Sequence, residues 1–383
     1  MINIEFDQIE NTEPDSLLLS FCNQGASPEF SLCVFNLFER SFTWIPLSEL
    51  YILSQSGLGG VCGIAFEHGQ IFIVTQGYNP ILACWDIKAK SWISKIILQK
   101  VSDAHSIVIK DEYIYIVSTG TNEIYRVKWD GCSFHGEEIY WQYPGVSYDY
   151  DVVHLNGLTR DGERLIASCF GFRDDEGVWG ASGEVFYVDP VLQAICSNLN
   201  HPHTPLIIGK ELYIAESKSG LVHRLIKENG FWVPETAYPV GGYVRGISFI
   251  RNKMIVGVSA SRTISRSKKC KIEKTYNKDA DYGVAIVDMT TKSVVREHVT
   301  SGLGKEIYDL IPVDGYPDGN KLERVLAMRI HNMEIIYEEN SVASYEASKE
   351  YEKVLEDFNL LKNNEQRRLA NRIKRWLIKW ISV

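Results

Sequence analysis

The chain has 383 residues and a net charge of −9, and 45% of its residues are hydrophobic. This length can bury a large core, and the acidic balance argues against nucleic acid as a partner, because chains that bind phosphate backbones usually present a basic surface. The N-terminal residues lack the basic start and apolar segment of a signal peptide, and no apolar run reaches about 18 residues. We therefore expect a cytoplasmic protein without a membrane-spanning helix.

The eight cysteines are scattered through the chain and form no C-x-x-C pair and no cluster at zinc-ligand spacing. Most of them fall inside predicted strands. This distribution indicates buried, reduced thiols and agrees with a cytoplasmic location.

The N-terminal segments predict strands that lack a leading partner. Ser16 to Cys22, Phe30 to Phe38 and Ser41 to Pro46 read as the second, third and fourth strands of a four-stranded blade. Near the other end of the chain, Glu306 to Val313 reads as an isolated first strand. If this strand completes the N-terminal blade, main-chain hydrogen bonds close a ring and leave no open sheet edge.

Between these ends, one hairpin pattern recurs about every 40 to 50 residues, which is the period of propeller blades. Each copy has two short strands around a polar turn, and the second strand is apolar. The five copies are residues 62–75, 105–118, 154–171, 204–217 and 245–258. With the composite blade they predict an all-β, about six-bladed β-propeller over residues 1–340. A separate blade from Arg324 to Ile336 would make seven.

Aligning the repeats places polar residues near the start of each first strand, at one mouth of the central channel. One column contains Cys62, His105, Asn156, Thr204, Arg245 and Tyr308, and the column two residues earlier contains Gly60, Asp103, His154, Pro202, Tyr243 and Glu306. Strand side chains alternate between faces, so both columns should point the same way. Such residues either hydrogen-bond one another around a water-filled channel or form a functional site.

The residue types at this mouth favour a site, because they combine acid–base, anchoring and ligand roles. The predicted catalytic residues are His105, His154, Asn156, Glu216 and Glu306. His203 lies one residue out of register, but the flanking prolines could re-aim it. The same histidines with Glu216 could hold a divalent metal ion if imidazoles from separate blades came within about 2 Å of one point.

Two loops after second strands border the same mouth. Residues 172–182 carry carboxylates and Trp179, an arrangement typical of sugar stacking. Residues 259–274 carry six basic side chains, including Arg262, against Glu273, and would attract an anionic ligand towards Arg245. The predicted substrate-binding residues are Trp179, His203, Arg245, Arg262 and Tyr308.

A set of short motifs resembles a bacterial propeller family of unknown function. The motifs are His154-Leu-Asn-Gly-Leu158, Pro202-His-Thr-Pro205, Arg245-Gly-Ile-Ser-Phe249 with Val256-Gly-Val-Ser259 and Arg262, Tyr282-Gly-Val-Ala-Ile-Val-Asp288, and Glu306-Ile-Tyr308. The resemblance implies a fold similar to gluconolactonase and strictosidine-synthase propellers, and genes for surface polysaccharides and glycosyltransferases as neighbours. The calcium ligands of gluconolactonases do not map onto the polar columns, which argues against lactonase chemistry.

The last section, residues 341–383, predicts a helical extension rather than strands. Between residues 365 and 383, Leu369, Ile373, Trp376, Leu377, Trp380 and Ile381 share one helical face, and six cations occupy the remainder. This pattern is typical of a helix that lies on an anionic membrane surface, here the inner face of the cell membrane. Packing on the propeller or on a second subunit would explain the apolar face equally well.

Two function classes remain open from the sequence. The first is an enzyme of surface-polysaccharide or glycoconjugate assembly, a lyase, hydrolase or transferase that acts on an anionic or sugar-containing substrate at the mouth. The second is a non-catalytic propeller that binds a glycan or a partner enzyme such as a glycosyltransferase. Histidines together with carboxylates exceed what recognition needs, and they favour the enzyme.

Overall fold

The computed structural model describes ten stretches of the chain. These are residues 16–22, 31–36, 41–53, 59–77, 79–175, 177–189, 191–250, 253–260, 283–297 and 306–313. The chain separates into two units, Met1–Asp318 and Gly319–Val383, and all the described residues belong to the first. Arg262, the segment from Arg324 to Ile336 and the extension at 341–383 lie outside the described residues, so the domain boundary at residue 340 stays a prediction.

The described strands form six four-stranded antiparallel sheets, which are the blades of a β-propeller. Blade 1 consists of β1 (Ser16–Phe21), β2 (Leu32–Asn36), β3 (Ser41–Trp44) and β24 (Ile307–Val313). Blade 2 consists of β4 (Gly60–Glu67), β5 (Gln70–Gln76), β6 (Ile81–Asp86) and β7 (Ser91–Ile97). Blade 3 consists of β8 (Ala104–Lys110), β9 (Tyr113–Ser118), β10 (Glu123–Trp129) and β11 (Phe134–Gln142).

The remaining blades repeat this order. Blade 4 consists of β12 (Leu155–Asp161), β13 (Arg164–Cys169), β14 (Gly183–Tyr187) and β15 (Gln193–Leu199). Blade 5 consists of β16 (Pro202–Ile208), β17 (Glu211–Glu216), β18 (Leu221–Glu228) and β19 (Phe231–Pro239). Blade 6 consists of β20 (Tyr243–Ile250), β21 (Lys253–Ser259), β22 (Gly283–Asp288) and β23 (Val294–Glu297). A short helix, α1 (Ser48–Leu53), precedes blade 2, and none of the described helices is long and apolar enough to cross a membrane.

The ring closes through blade 1, as the unpaired segments at the two ends predict. Strand β24 pairs antiparallel with β1, from Ser16 opposite Val313 to Ser20 opposite Asp309. The amide of Cys22 continues the ladder by donating to the carbonyl of Glu306. Strand β1 therefore gains the inner partner that the N-terminal segment lacks, and the six-bladed prediction is confirmed.

The hydrophobic core lies between neighbouring sheets. Leu18 and Val34 of blade 1, for example, pack in one cluster with Ile64 and Ile73 of blade 2. Equivalent clusters fill the spaces between blades 2 and 3, 3 and 4, 4 and 5, and 5 and 6. The alternation seen in the sequence follows from this packing, because successive side chains on a strand face opposite neighbours.

Glycines let the innermost strands of neighbouring blades approach one another closely. A Cβ on Gly63 of blade 2 would lie 2.7 Å from the amide nitrogen of Ile107 in blade 3. A Cβ on Gly246 of blade 6 would likewise lie 2.9 Å from the amide nitrogen of Leu310 in blade 1, and Gly157 abuts the inner strand of blade 5. Each of these glycines follows a residue of the predicted polar column, so the close approach brings column residues of adjacent blades together.

Candidate functional site

Bulges at the start of the inner strands direct the side chains of the predicted polar columns towards the channel mouth. The pairing of first and second strands shifts register in blades 2 to 6 near the column position. Bulges of this kind bend a strand and redirect its side chains. In blade 5 the bulge contains Thr204, whose φ is +43°, and Pro205. His203 rather than Thr204 therefore joins the cluster described next.

Side chains from five blades meet at this mouth. The ring centroids of His105 and His154 are 5.1 Å apart, and those of His105 and Tyr308 are 5.5 Å apart. His203 approaches the other side of the cluster, with its ring centroid 6.3 Å from that of Tyr308. The guanidinium carbon of Arg245 lies 5.5 Å from the centroid of Tyr308. The predicted convergence of these five side chains is thus observed.

His154 forms a hydrogen-bonded pair with a carboxylate. Its Nδ1 lies 2.8 Å from Oδ2 of Asp151, whose Oδ1 accepts the backbone N–H of His154. Burial would raise the pKa of Asp151, but His154 and Arg173 outweigh it and hold the pKa below its usual range. The carboxylate therefore accepts the Nδ1 proton, and Nε2 is the ring nitrogen left to exchange a proton. This is the arrangement of a histidine general base that is oriented by a carboxylate.

Aromatic rings form the wall beside His154. Its ring centroid lies 4.3 Å from that of Phe170 and 4.8 Å from that of Trp179. The guanidinium of Arg173 covers Trp179 at 3.8 Å. His201 stacks on Phe170 at 4.2 Å, and its Nε2 donates to the carbonyl of Trp179. Burial lowers the pKa of His201 to about 4, so this ring is neutral near pH 7.

The other two histidines of the cluster are also held as neutral rings. Nδ1 of His105 donates to the carbonyl of Asp103 at 2.9 Å, and Nδ1 of His203 lies 2.7 Å from Oγ of Ser217. Burial lowers the pKa of His105 and places that of His203 well below its usual range. Nδ1 of His203 also lies 3.3 Å from the carbonyl of His201, which requires the proton on Nδ1. In both rings Nε2 is left as a hydrogen-bond acceptor.

A buried ion pair lies next to Tyr308. Nη1 of Arg245 donates to Oε2 of Glu306 at 3.0 Å and contacts Sγ of Cys22 at 3.1 Å. Burial disfavours the charge on Arg245, but the neighbouring Cys22 and Glu306 outweigh it and raise the pKa of the guanidinium. Arg245 is therefore charged, and Glu306 offsets that charge locally.

Comparison with known proteins identifies the family. Residues 90–318 match a family model described as "Domain of unknown function (DUF4915)", which spans more than half of the chain. The chain belongs to the DUF4915 family. The match contains every site residue described above except Cys22. No curated protein matches the sequence. The link to surface-polysaccharide genes stays a prediction.

Solved structures similar to this DUF4915 chain support the fold alone. A nidogen/laminin complex structure matches with a TM-score of 0.52 and 11% identity, over 77% of this chain and 97% of that one. A protein of unknown function from Bacteroides caccae also matches with a TM-score of 0.52, at 10% identity, over 79% of this chain and 100% of that one. At such identities no activity or ligand transfers.

Two predicted catalytic residues of the DUF4915 chain form their hydrogen bonds outside the histidine cluster. Asn156 is buried, and its amide bridges blades 4 and 5 by accepting from Ser168 and donating to the carbonyl of Pro202. Glu216 accepts the amide N–H of Asn200 and pairs with His223 at 2.6 Å on the flank of blade 5. Alternation along β17 explains this, because the next residue, Ser217, is the one that reaches His203.

The described residues do not form the predicted metal site. Among the parts of the chain that the structure describes, no three His, Cys, Asp or Glu side chains converge as metal ligands. Glu216 binds His223 instead of joining His105, His154 and His203. No step is therefore assigned to a metal ion.

Three residues of the site were missed at the level of sequence. Asp151 lies in the loop before β12, and its place three residues ahead of His154 was the available signal. His201 stands two residues before His203, and this repeat of histidine beside the predicted column was the available signal. Phe170 ends the apolar strand β13 and gives no polar signal, although it contacts three of the histidines of the site.

Proposed function

We propose that this DUF4915 chain is an enzyme that acts by acid–base chemistry on a sugar-containing substrate at the channel mouth. The observation that carries the proposal is the Asp151–His154 pair beside Trp179. Nε2 of His154 takes a proton from a substrate group, and Asp151 stabilises the imidazolium that forms. Positioned proton transfer of this kind contributes about 10²–10⁴-fold in rate.

The walls of the mouth favour a sugar. Trp179 is partly exposed and supplies an apolar ring against which the C–H face of a sugar can pack, while Phe170 is buried and packs on Trp179. His105 and His203 supply hydrogen-bond acceptors a short distance away. Pockets that combine aromatic walls with a few placed polar groups are typical of small-molecule sites.

The cellular setting is part of the same proposal and rests on the sequence. The enzyme works in the cytoplasm on surface-polysaccharide or glycoconjugate assembly. Residues 365–383 hold it on the anionic inner face of the cell membrane, and packing of that segment on the propeller or on a second subunit is the competing role.

A second candidate is a non-catalytic propeller that binds a glycan or a partner enzyme. The contacts of Asn156, Glu216 and Arg245 favour it, because all three have protein partners and serve the scaffold. The two candidates differ in what His154 does. Catalysis needs its free Nε2, whereas binding needs only the shape of the mouth.

The test is turnover of a panel of sugar nucleotides and oligosaccharides, followed by mass spectrometry of the products. His154→Ala and Asp151→Asn should lower the rate of any conversion by about 10²-fold or more while ligand binding persists. The matched control is His135→Ala, which removes an exposed histidine paired with Asp130 on the outer strand of blade 3. Conversion that survives His154→Ala, or no conversion with binding retained, would leave the binding function.

A further inference from the structure

The floor of the mouth, which consists of Arg245, Glu306, Tyr308, His105 and His203, contains two donors without a protein partner. Oη of Tyr308 and Nε of Arg245 are buried and make no hydrogen bond to any described residue. Tyr308 is 6% exposed and Arg245 is 5% exposed. A buried donor left unsatisfied is destabilising, so such groups are rare unless a ligand or ordered water accepts a hydrogen bond from them.

The same floor has acceptors as well as donors. Nε2 of His105 and of His203 carry lone pairs, because Nδ1 of each ring donates to the protein. The ring of Tyr308 packs edge-on against both imidazoles, which places the donor residue next to the two acceptor residues. Burial raises the pKa of Tyr308 well above its usual range, so its hydroxyl remains a donor.

Charge on the floor is balanced within the described residues. Arg245 is neutralised by Glu306 at 3.0 Å, and both side chains are about nine-tenths buried. Burial lowers the pKa of His105 and of His203, so both rings are neutral near pH 7, and Asp151 pairs with His154 and Arg173. A carboxylate or phosphate entering this floor would lose its hydration and meet a cation that already has an anionic partner.

We propose that the floor binds an uncharged, hydroxyl-bearing sugar ring rather than an anionic one. A sugar hydroxyl both donates and accepts, so it can satisfy Tyr308 and Arg245 with its oxygen and His105 or His203 with its proton. A carboxylate can only accept, and it would leave the two imidazole acceptors without donors. This inference deepens the proposed function and rests on it only in treating the bound ring as part of the substrate.

The experiment compares methyl hexosides with the matching methyl hexuronosides, which differ only in a hydroxymethyl or a carboxylate group. Binding to the full chain is measured by titration calorimetry or ligand-observed NMR. At least one hexoside should bind about tenfold more tightly than its uronoside, equivalent to about 1.4 kcal/mol. Tyr308→Phe should weaken that hexoside about two- to tenfold, the worth of one hydrogen bond.

A variant that removes the charge of Glu306 provides the second part of the experiment. Glu306→Gln removes the anionic partner of Arg245. The affinity for the uronoside should therefore rise relative to that for the hexoside and can exceed it. Glu123→Gln is the matched control, since Glu123 is also buried but binds Tyr125 and Gln142 within blade 3. Melting temperatures establish that each variant is folded, and if Glu306→Gln is not, the Tyr308→Phe comparison decides.

Three outcomes overturn the inference. These are uronosides that bind the wild type as tightly as hexosides, no detectable hexoside binding, and hexoside affinity that Tyr308→Phe leaves unchanged. Failure of the proposed function looks different. In that case hexosides still bind with the predicted selectivity, but no conversion depends on His154.

Discussion

Removal of the Tyr308 hydroxyl from the floor of the mouth tests whether that hydroxyl stabilises the folded protein. Oη of Tyr308 is buried and has no hydrogen-bond partner among the described residues. In the absence of a ligand or an ordered water, the hydroxyl therefore contributes a desolvation cost of about 1–3 kcal/mol with no compensating bond. Tyr308→Phe keeps the ring and its contacts with His105 and His203. We expect the free energy of unfolding to stay constant or to rise by about 1 kcal/mol.

A second buried tyrosine provides the comparison. Tyr213 is 2% exposed, and its hydroxyl donates to the carboxylate of Glu211. Tyr213→Phe removes that bond and should cost about 1 kcal/mol or more. Guanidinium unfolding followed by tryptophan fluorescence, with equal m values required for both variants, measures the two effects. A loss of stability in Tyr308→Phe equal to that in Tyr213→Phe would show that Oη of Tyr308 has a protein partner and would refute the reasoning.

Three further results are expected. Gly157→Ala should lower the free energy of unfolding by about 1–3 kcal/mol, because its Cβ would lie 2.3 Å from Oγ of Ser168 and 2.6 Å from Cδ of Pro205; unchanged denaturant midpoints would contradict the close approach of the inner strands. Burial lowers the pKa of His201 to about 4, so the unfolded chain binds the proton first and stability should fall by up to about 1.4 kcal/mol for each pH unit between 6.5 and 4. His201→Phe should flatten that part of the pH dependence, and an identical slope in the variant would exclude His201 as its source. A chain that ends at Asn363 should lose flotation with anionic liposomes at low salt while the full chain floats, and equal recovery of both in the soluble fraction would remove the membrane role.

The blade pattern could be predicted from sequence because it depends on local information. Strand alternation has a period of two, polar turns separate the strands, and the hairpin repeats at blade spacing. The composite blade was also predictable, since Ser16 to Cys22 lacked a first strand and Glu306 to Val313 lacked the other three. One end of the chain lacks the strand that the other end has in excess, and closure of the ring brings the two ends together so that their backbones can pair.

The contacts of the site were decided by the tertiary structure. Alignment of the repeats placed Arg245 and Glu306 at one mouth. Only the close approach of blades 6 and 1 brings them into an ion pair, and that pair neutralises the positive charge that was expected to bind an anion. The two-residue bulge after His203 turns that ring into the cluster, and a loop brings Asp151 to His154. Period-two alternation says which face of a strand a side chain occupies. Which side chains touch across blades depends on bulge length and on how closely neighbouring strands approach, and these are properties of the closed ring.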